Sequence, residues 1–243
     1  MLSIIIPVYN EEAQIPALWD NLMKIEPCEI LFVDGGSSDH TVEILAQKIK
    51  DRRISDKKEG GMKSHSHHLK LLHSPKKGRA AQMDFGAEQS VGEILLFLHA
   101  DSRLPQTAVS DVRKVIRKRS AGCFRLGFFP NSLLMACCAF MSGSRVKCRR
   151  IMFGDQGIFM TRSLFERLSG FSDLPIMEDY DLSIRLKENG IRPGMTGSRI
   201  MTSGRRFEKG GPLRTMYRMQ KLQYWFRKGE SIEKIAKAYR DVR

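Results

Sequence analysis

The chain has 243 residues, 42% of them hydrophobic and 28% charged, which suits one large globular domain and excludes intrinsic disorder. Its 41 Lys and Arg against 27 Asp and Glu give a net charge of +14, so an anionic partner is expected: nucleic acid, acidic lipid or a phosphorylated substrate. The five cysteines, Cys28, Cys123, Cys137, Cys138 and Cys148, form no C-x-x-C pair, which argues for reduced thiols and against a disulfide framework or a zinc site.

In chain order, Leu2 to Val8 is an almost unbroken aliphatic run that ends beside Asn10-Glu11-Glu12. Such a run suits a strand buried on both faces of a parallel sheet. It starts straight after Met1 with no basic lead-in, so the N-terminus does not read as a signal peptide. Residues 12–25 carry Ile15, Leu18, Trp19, Leu22 and Met23 at helical spacing. Glu29 to Val33 is a second buried run, ending at Asp34, and Gly35 to Asp39 lead into a helix over 40–50. Residues 51–68 have almost no apolar content and read as a mobile loop or insertion. The neighbouring His65, His67, His68 and His73 have no fixed register and suit a solvated segment better than a metal site. A strand over Leu69–His73, a helix over 79–90 and a strand from Glu93 to His99 follow, the last running on to Asp101. This alternation predicts a three-layer α/β/α sandwich with a mostly parallel central sheet and right-handed crossovers.

Beyond residue 120 the pattern predicts a strand over Cys123–Phe129, a helix over 131–147, a short strand at Gly157–Met160 and a helix over 178–189. Cys137 and Cys138 suit small core positions. The most apolar late stretch, Phe128 to Met141, is shorter than the about 20 apolar residues a membrane span needs. Residues 212–240 predict one or two basic amphipathic helices. The chain thus divides into a domain over 1–204 and a basic helical tail over 205–243.

Two acids stand out. Asp34 and Asp101 each follow a buried apolar run, at the carboxyl end of a predicted parallel strand, where open α/β sheets bind ligands. Converging carboxylates there can hold a divalent cation or the polar groups of a nucleotide. Asp39, in contrast, suits a helix cap. His99 either faces the ligand or fills the strand end.

The segments IIIPVYNEE at 4–12, FVDGGSSDHT at 32–41, GRAAQMDFGA at 78–87, LLFLHADSRLP at 95–105 and MEDYDLSIRL at 177–186 resemble the family 2 glycosyltransferases. These are inverting enzymes of the GT-A fold that use nucleotide-diphosphate sugars. HADSRLP, FGDQGIFM at 153–160 and RRF…GPLRT at 205–215 resemble a narrower bacterial subgroup associated with radical-SAM and selenium-related genes. The resemblance implies that Pro7, Tyr9 and Glu11 line the nucleobase and ribose pocket and that Asp34 hydrogen-bonds the base. It places Arg79 near the diphosphate. Asp101 matches the first acid of the family's D-x-D motif, which holds Mn²⁺ or Mg²⁺ on the diphosphate, and Asp179 matches the catalytic base.

Arg103 stands where the second acid of that motif is expected. Arginine cannot ligate a cation, so the metal would rest on Asp101 and phosphate oxygens, with Arg103 free to contact phosphate itself. Asp155 and Glu178 are acceptor-side candidates. A plain Gly-Asp turn and the preference of acids for a helix's first turn are their structural alternatives.

The expected reaction moves a sugar, from a UDP-sugar by preference, to a hydroxyl acceptor that is lipid-linked in one reading. The expected location is cytoplasmic, soluble or peripheral on the inner membrane face. There the basic face of 212–240 either lies on anionic lipid or packs on the domain with its charges solvated. A sugar-1-phosphate nucleotidyltransferase lacks its Gly-rich basic signature here, and no nucleic-acid-binding module is visible, so nucleic acid is not an expected partner.

Overall fold

In a computed structural model, which describes residues 1–58, 66–129, 133–204 and 211–240, the apolar runs become the centre of one mixed sheet. The first half alternates as expected: β1 (Leu2–Val8), α1 (Ile15–Leu22), β2 (Glu29–Asp34), α2 (Thr41–Lys58), β3 (His68–His73), α3 (Arg79–Gln89) and β4 (Ile94–Phe97). The second half adds β5 (Ser102–Arg103), α4 (Ala108–Ile116), β6 (Ala121–Phe129), α5 (Leu133–Arg149), β7 (Ile158–Thr161), α6 (Arg162–Arg167), α7 (Glu178–Glu188) and β8 (Gly194–Ser203). The tail forms α8 (Pro212–Arg227) and α9 (Ile232–Arg240). Strand order is β3-β2-β1-β4-β7-β6-β8-β5. β3, β2, β1 and β4 run parallel to one another, as do β6 and β8, while β7 is antiparallel to β4 and β6 and β5 is antiparallel to β8.

The unbroken run in β1 has a simple cause. Ile4 and Ile6 enter one core with α1, α2, α4 and α5, while Ile5 enters a second core with α3, α6 and α7. Successive side chains of a strand face opposite ways, so a sheet covered on both faces needs apolar residues at every position. A third cluster lies between α7 and the tail, where Ile176, Met177 and Tyr180 meet Leu222, Ile235 and Ala236.

Two expectations need correction. Residues 51–58, read as loop, continue α2; that stretch is polar and solvated, held by an Arg52–Asp56 ion pair at 3.0 Å and anchored when Arg53 donates to the Leu69 carbonyl at 3.3 Å. Helical segments without an apolar stripe can persist on such i,i+4 pairs, and periodicity does not reveal them. The remainder of that expected insertion, residues 59–65, lies outside the described residues. Cys137 is exposed, and only Cys138 of the pair is buried. The pattern does not predict β5, α4, α6 or β8; β8 pairs along β6 with a register shift between Cys123 and Arg125.

Candidate functional site

β2, β1 and β4 are parallel neighbours, so the loops after Val8, Asp34 and Phe97 emerge from one end of the sheet. The first two loops are laced together. The Asn10 amide donates to Ser37 Oγ at 3.0 Å, the Glu11 amide to Thr41 Oγ1 at 2.8 Å, and the Ser38 amide back to Asn10 Oδ1 at 2.8 Å. Asp34 is 3% exposed and accepts from the amides of Gly36 and Ser37 at 3.0 and 3.1 Å. Burial pushes its carboxyl up, but the Ser37 and Gly36 donors and His73, 3.5 Å away, outweigh burial and hold it below the usual carboxylate range. Pro7 is half-buried near the end of β1, and Tyr9, just past the strand, is 55% exposed. Pro7, Tyr9, Glu11 and Asp34 are therefore brought together.

A buried residue not singled out from sequence holds this end of the sheet. Gln82 of α3 donates to the carbonyls of Val8 and Val33 at 2.8 and 2.6 Å near the carboxyl ends of β1 and β2, where Val8 also accepts the Gly35 amide at 3.0 Å. Gly35 is small for the same reason, since a Cβ there would meet the Gln82 amide at 2.9 Å.

A second group forms where α3 and α7 begin. Arg79, in the first turn of α3, is ion-paired through Nε with Glu178 and lies 3.4 Å from His99 Nε2. Burial opposes the guanidinium charge, but Glu178 and Asp179 more than offset it and keep Arg79 firmly cationic. Glu178 is 1% exposed, and burial, with the charge of Asp179, pushes its carboxyl up against the pull of Arg79. Its carboxylate is thus committed to Arg79. Asp179 accepts the Gly154 amide at 2.7 Å. Gly154 can have no side chain: a Cβ would sit 2.5 Å from His99 Nε2 and 3.2 Å from Asp179 Oδ2. Met177, just before these acids, has φ 69°, a left-handed conformation unfavourable for a residue with a side chain. That turn starts α7 with Glu178 and Asp179 at this cluster.

Gly154, Asp155 and Gln156 form a single 3₁₀ turn braced from α5. Arg145 donates to Gln156 Oε1 at 2.8 Å and lies over the Phe153 ring at 4.1 Å. Asp155 interacts with that same buried guanidinium. Sequence pattern does not reveal this network, because its partners are eight to eleven residues apart across an element boundary.

Asp101 follows β4 in a turn closed by the Ser102 amide on the His99 carbonyl at 3.1 Å. Arg103, on β5, lies over the exposed Phe129 ring at 4.9 Å. Among the described residues no group of three or more His, Cys, Asp or Glu is arranged to hold a metal ion. A cation at Asp101 would need most of its oxygens from a bound ligand.

A family model for glycosyl transferase family 2 matches residues 3–160. An undecaprenyl-phosphate 4-deoxy-4-formamido-L-arabinose transferase from Pectobacterium carotovorum subsp. carotovorum (strain PC1) is 30% identical over 109 residues, 43% of this chain and 30% of that protein. The one from Yersinia pestis (strain Pestoides F) is 31% identical over the same length and shares of both chains. The match thus spans less than a third of these curated relatives. Staphylococcus aureus TarS 1–349 in complex with UDP-GlcNAc superposes with a TM-score of 0.63 at 17% identity, covering 83% of this chain and 58% of that one. The mannosyltransferase PcManGT from Pyrobaculum calidifontis, in complex with GDP-Man and Mn²⁺, gives 0.63 at 19% identity, covering 91% and 61%. At these identities the likeness establishes the fold, which is GT-A.

Proposed function

The chain belongs to glycosyl transferase family 2, and on that premise we propose that it transfers a sugar from a nucleotide-diphosphate donor to a hydroxyl acceptor with inversion at the anomeric carbon. The observation that carries the reading is the Asp179 carboxylate, fixed by the Gly154 amide beside His99 and the cationic Arg79, at the sheet end where Asp34 and the Tyr9 ring also emerge.

In this reading Pro7, Tyr9, Glu11 and Asp34 hold the nucleoside; the low-lying carboxyl of Asp34 stays ionised and accepts from the base. Asp179 takes the acceptor's proton as its oxygen attacks from the face opposite the diphosphate, a contribution of about 10²–10⁴-fold for a positioned base. Arg79 and Arg103 offer fixed positive charge to the leaving diphosphate, and Glu178 positions Arg79. A divalent cation, Mn²⁺ or Mg²⁺, held by Asp101 would neutralise further charge there. We assign Asp155, in the 3₁₀ turn, to the acceptor side.

A UDP-sugar is the favoured donor, and TarS with UDP-GlcNAc and PcManGT with GDP-Man support a nucleotide sugar in general. The names of the undecaprenyl-phosphate transferases support a lipid-linked acceptor. The GDQG turn and HADSRLP segment support the narrower bacterial subgroup. We assign 1–204 to the catalytic domain and 205–243 to the tail; RRF at 205–207 lies outside the described residues. We place the protein on the cytoplasmic side, peripheral to an anionic membrane that the basic face of 212–240 contacts.

Asp179→Asn tests the reading. It should preserve the thermal shift produced by the donor while lowering turnover at least about 100-fold. Near-normal turnover would remove Asp179 from the base role.

A further inference from the structure

α5 packs one face on the sheet and leaves the other uncovered. Met135, Cys138 and Val146 are buried, at 7%, 6% and 3% exposure. Leu133, Phe140 and Met141 are 85%, 77% and 53% exposed, and Leu134 is 37% exposed. With the exposed Cys137 these fall on one side of the helix, since residues three, four and seven apart share a face. Phe129, four positions before Leu133, is 56% exposed and supports Arg103 on its ring. Single exposed apolar residues are ordinary, but a contiguous row of this kind marks an interaction surface.

Charge selects the occupant. The last turn of α5 exposes Lys147 and Arg149. The neighbouring α8, joined through a Cys138–Met216 contact at 3.3 Å, exposes Arg214, Tyr217, Lys221 and Tyr224. A second copy of a chain with net charge +14 would bring like charges together across this face. An anionic bilayer would not. Its acyl boundary takes the Leu and Phe side chains, its headgroups take the cations, and tyrosine sits well between the two. α5 has 17 residues, about 25 Å, and no described helix is long and apolar enough to cross a membrane, so α5 would lie in the surface plane.

We propose that α5 inserts its Leu133, Leu134, Cys137, Phe140 and Met141 face into the interface of an anionic membrane. The inference rests on the membrane contact proposed above and adds to the basic face of the tail an apolar anchor on α5. It is independent of sugar transfer. Because Phe129 carries Arg103, docking by α5 would bring the lipid surface beside the proposed diphosphate site, where a lipid-linked acceptor is needed.

The test is flotation of the full chain with vesicles of phosphatidylcholine alone or mixed with phosphatidylglycerol. Wild-type protein should float with the mixed vesicles. A substantial fraction should stay bound in about 1 M salt, where the Debye length is about 3 Å and surface charges are screened. Leu133→Glu/Phe140→Glu should reduce binding at least about tenfold at both salt concentrations while leaving the melting temperature and the donor-induced shift unchanged. Arg214→Glu/Lys221→Glu should weaken binding at low salt only. Wild-type flotation lost completely in high salt, or unchanged flotation of the α5 variant, would overturn insertion by α5. No flotation of wild type at low salt would defeat the membrane contact itself. A concentration-dependent dimer that the α5 variant abolishes would assign the face to a second copy. Loss of the donor shift in wild type would defeat the transferase reading and leave the vesicle result intact.

Discussion

In the proposed site, Arg103 stands where a second acid is expected, so the proposed cation would have Asp101 as its one protein carboxylate. A cation bound by one carboxylate depends on the diphosphate for its other ligands, so cation and nucleotide should bind together. Asp101→Ala is therefore expected to weaken donor binding more in the presence of Mn²⁺ than in its absence, read by titration calorimetry under both conditions. Equal loss would argue against metal ligation. A second carboxylate gives a pH signature. Asp84 accepts the Phe171 amide at 2.9 Å, and burial raises its carboxyl from 3.8 to about 6. A folded-state value above the unfolded one means the native state holds that proton more tightly. The stabilisation is complete below about pH 4 and is lost as pH rises through about 6. Asp84→Asn should thus be more stable than wild type by about 1 kcal/mol near pH 8, after discounting for partial solvation, and equal to it near pH 4. Thermal melts at the two pH values decide this; a difference that ignores pH would exonerate the carboxyl.

Among the elements, α3 does more than cover the sheet. Its first residue presents Arg79 to the acids of α7, and its fourth, Gln82, caps the ends of β1 and β2. Gln82→Leu would remove a donor from the Val8 and Val33 carbonyls; Val8 keeps the Gly35 amide at 3.0 Å, so the loss is roughly 1–3 kcal/mol in all. An unfolding free energy lowered by about that amount, read as a lower urea midpoint at unchanged slope, is expected together with weaker donor binding, because the loops after Val8 and Asp34 lose their support. A lowered midpoint with unchanged donor affinity would confine Gln82 to stability. α2 and β8 show the limits of pattern reading at this scale. The second half of α2 is solvated on most sides, and β8 is recognisable only because β6 lies beside it.

At the scale of the molecule, the tail is coupled to the site. Phe153, before the GDQG turn, stacks on Tyr180 at 5.7 Å, and Tyr180 meets Phe226 of α8 edge-on at 5.8 Å. Tyr239 of α9 is close enough to Arg79 to interact with its charge. Ile235, 0% exposed, sits in the cluster that joins tail and α7. Ile235→Ala should cost about 2–5 kcal/mol in denaturant unfolding and speed amide exchange in α7 as well as in α8 and α9. Faster exchange confined to α8 and α9 would make the tail a separate unit.

The sequence alone was enough for the central strands, the family and the neighbourhood of Pro7, Tyr9, Glu11 and Asp34. Strands buried on both faces require continuous apolar runs, and the residues at their carboxyl ends are read directly from where those runs stop. It could not show that Glu178 is committed to Arg79, that Gly154 holds Asp179, that Gln82 ties two strands, or that α5 turns Leu133 and Phe140 outward. Each of these depends on residues far apart in the chain or on which face of an element finds a partner, and only packing decides that. An apolar helix reads the same in sequence whether the fold covers it or leaves it open.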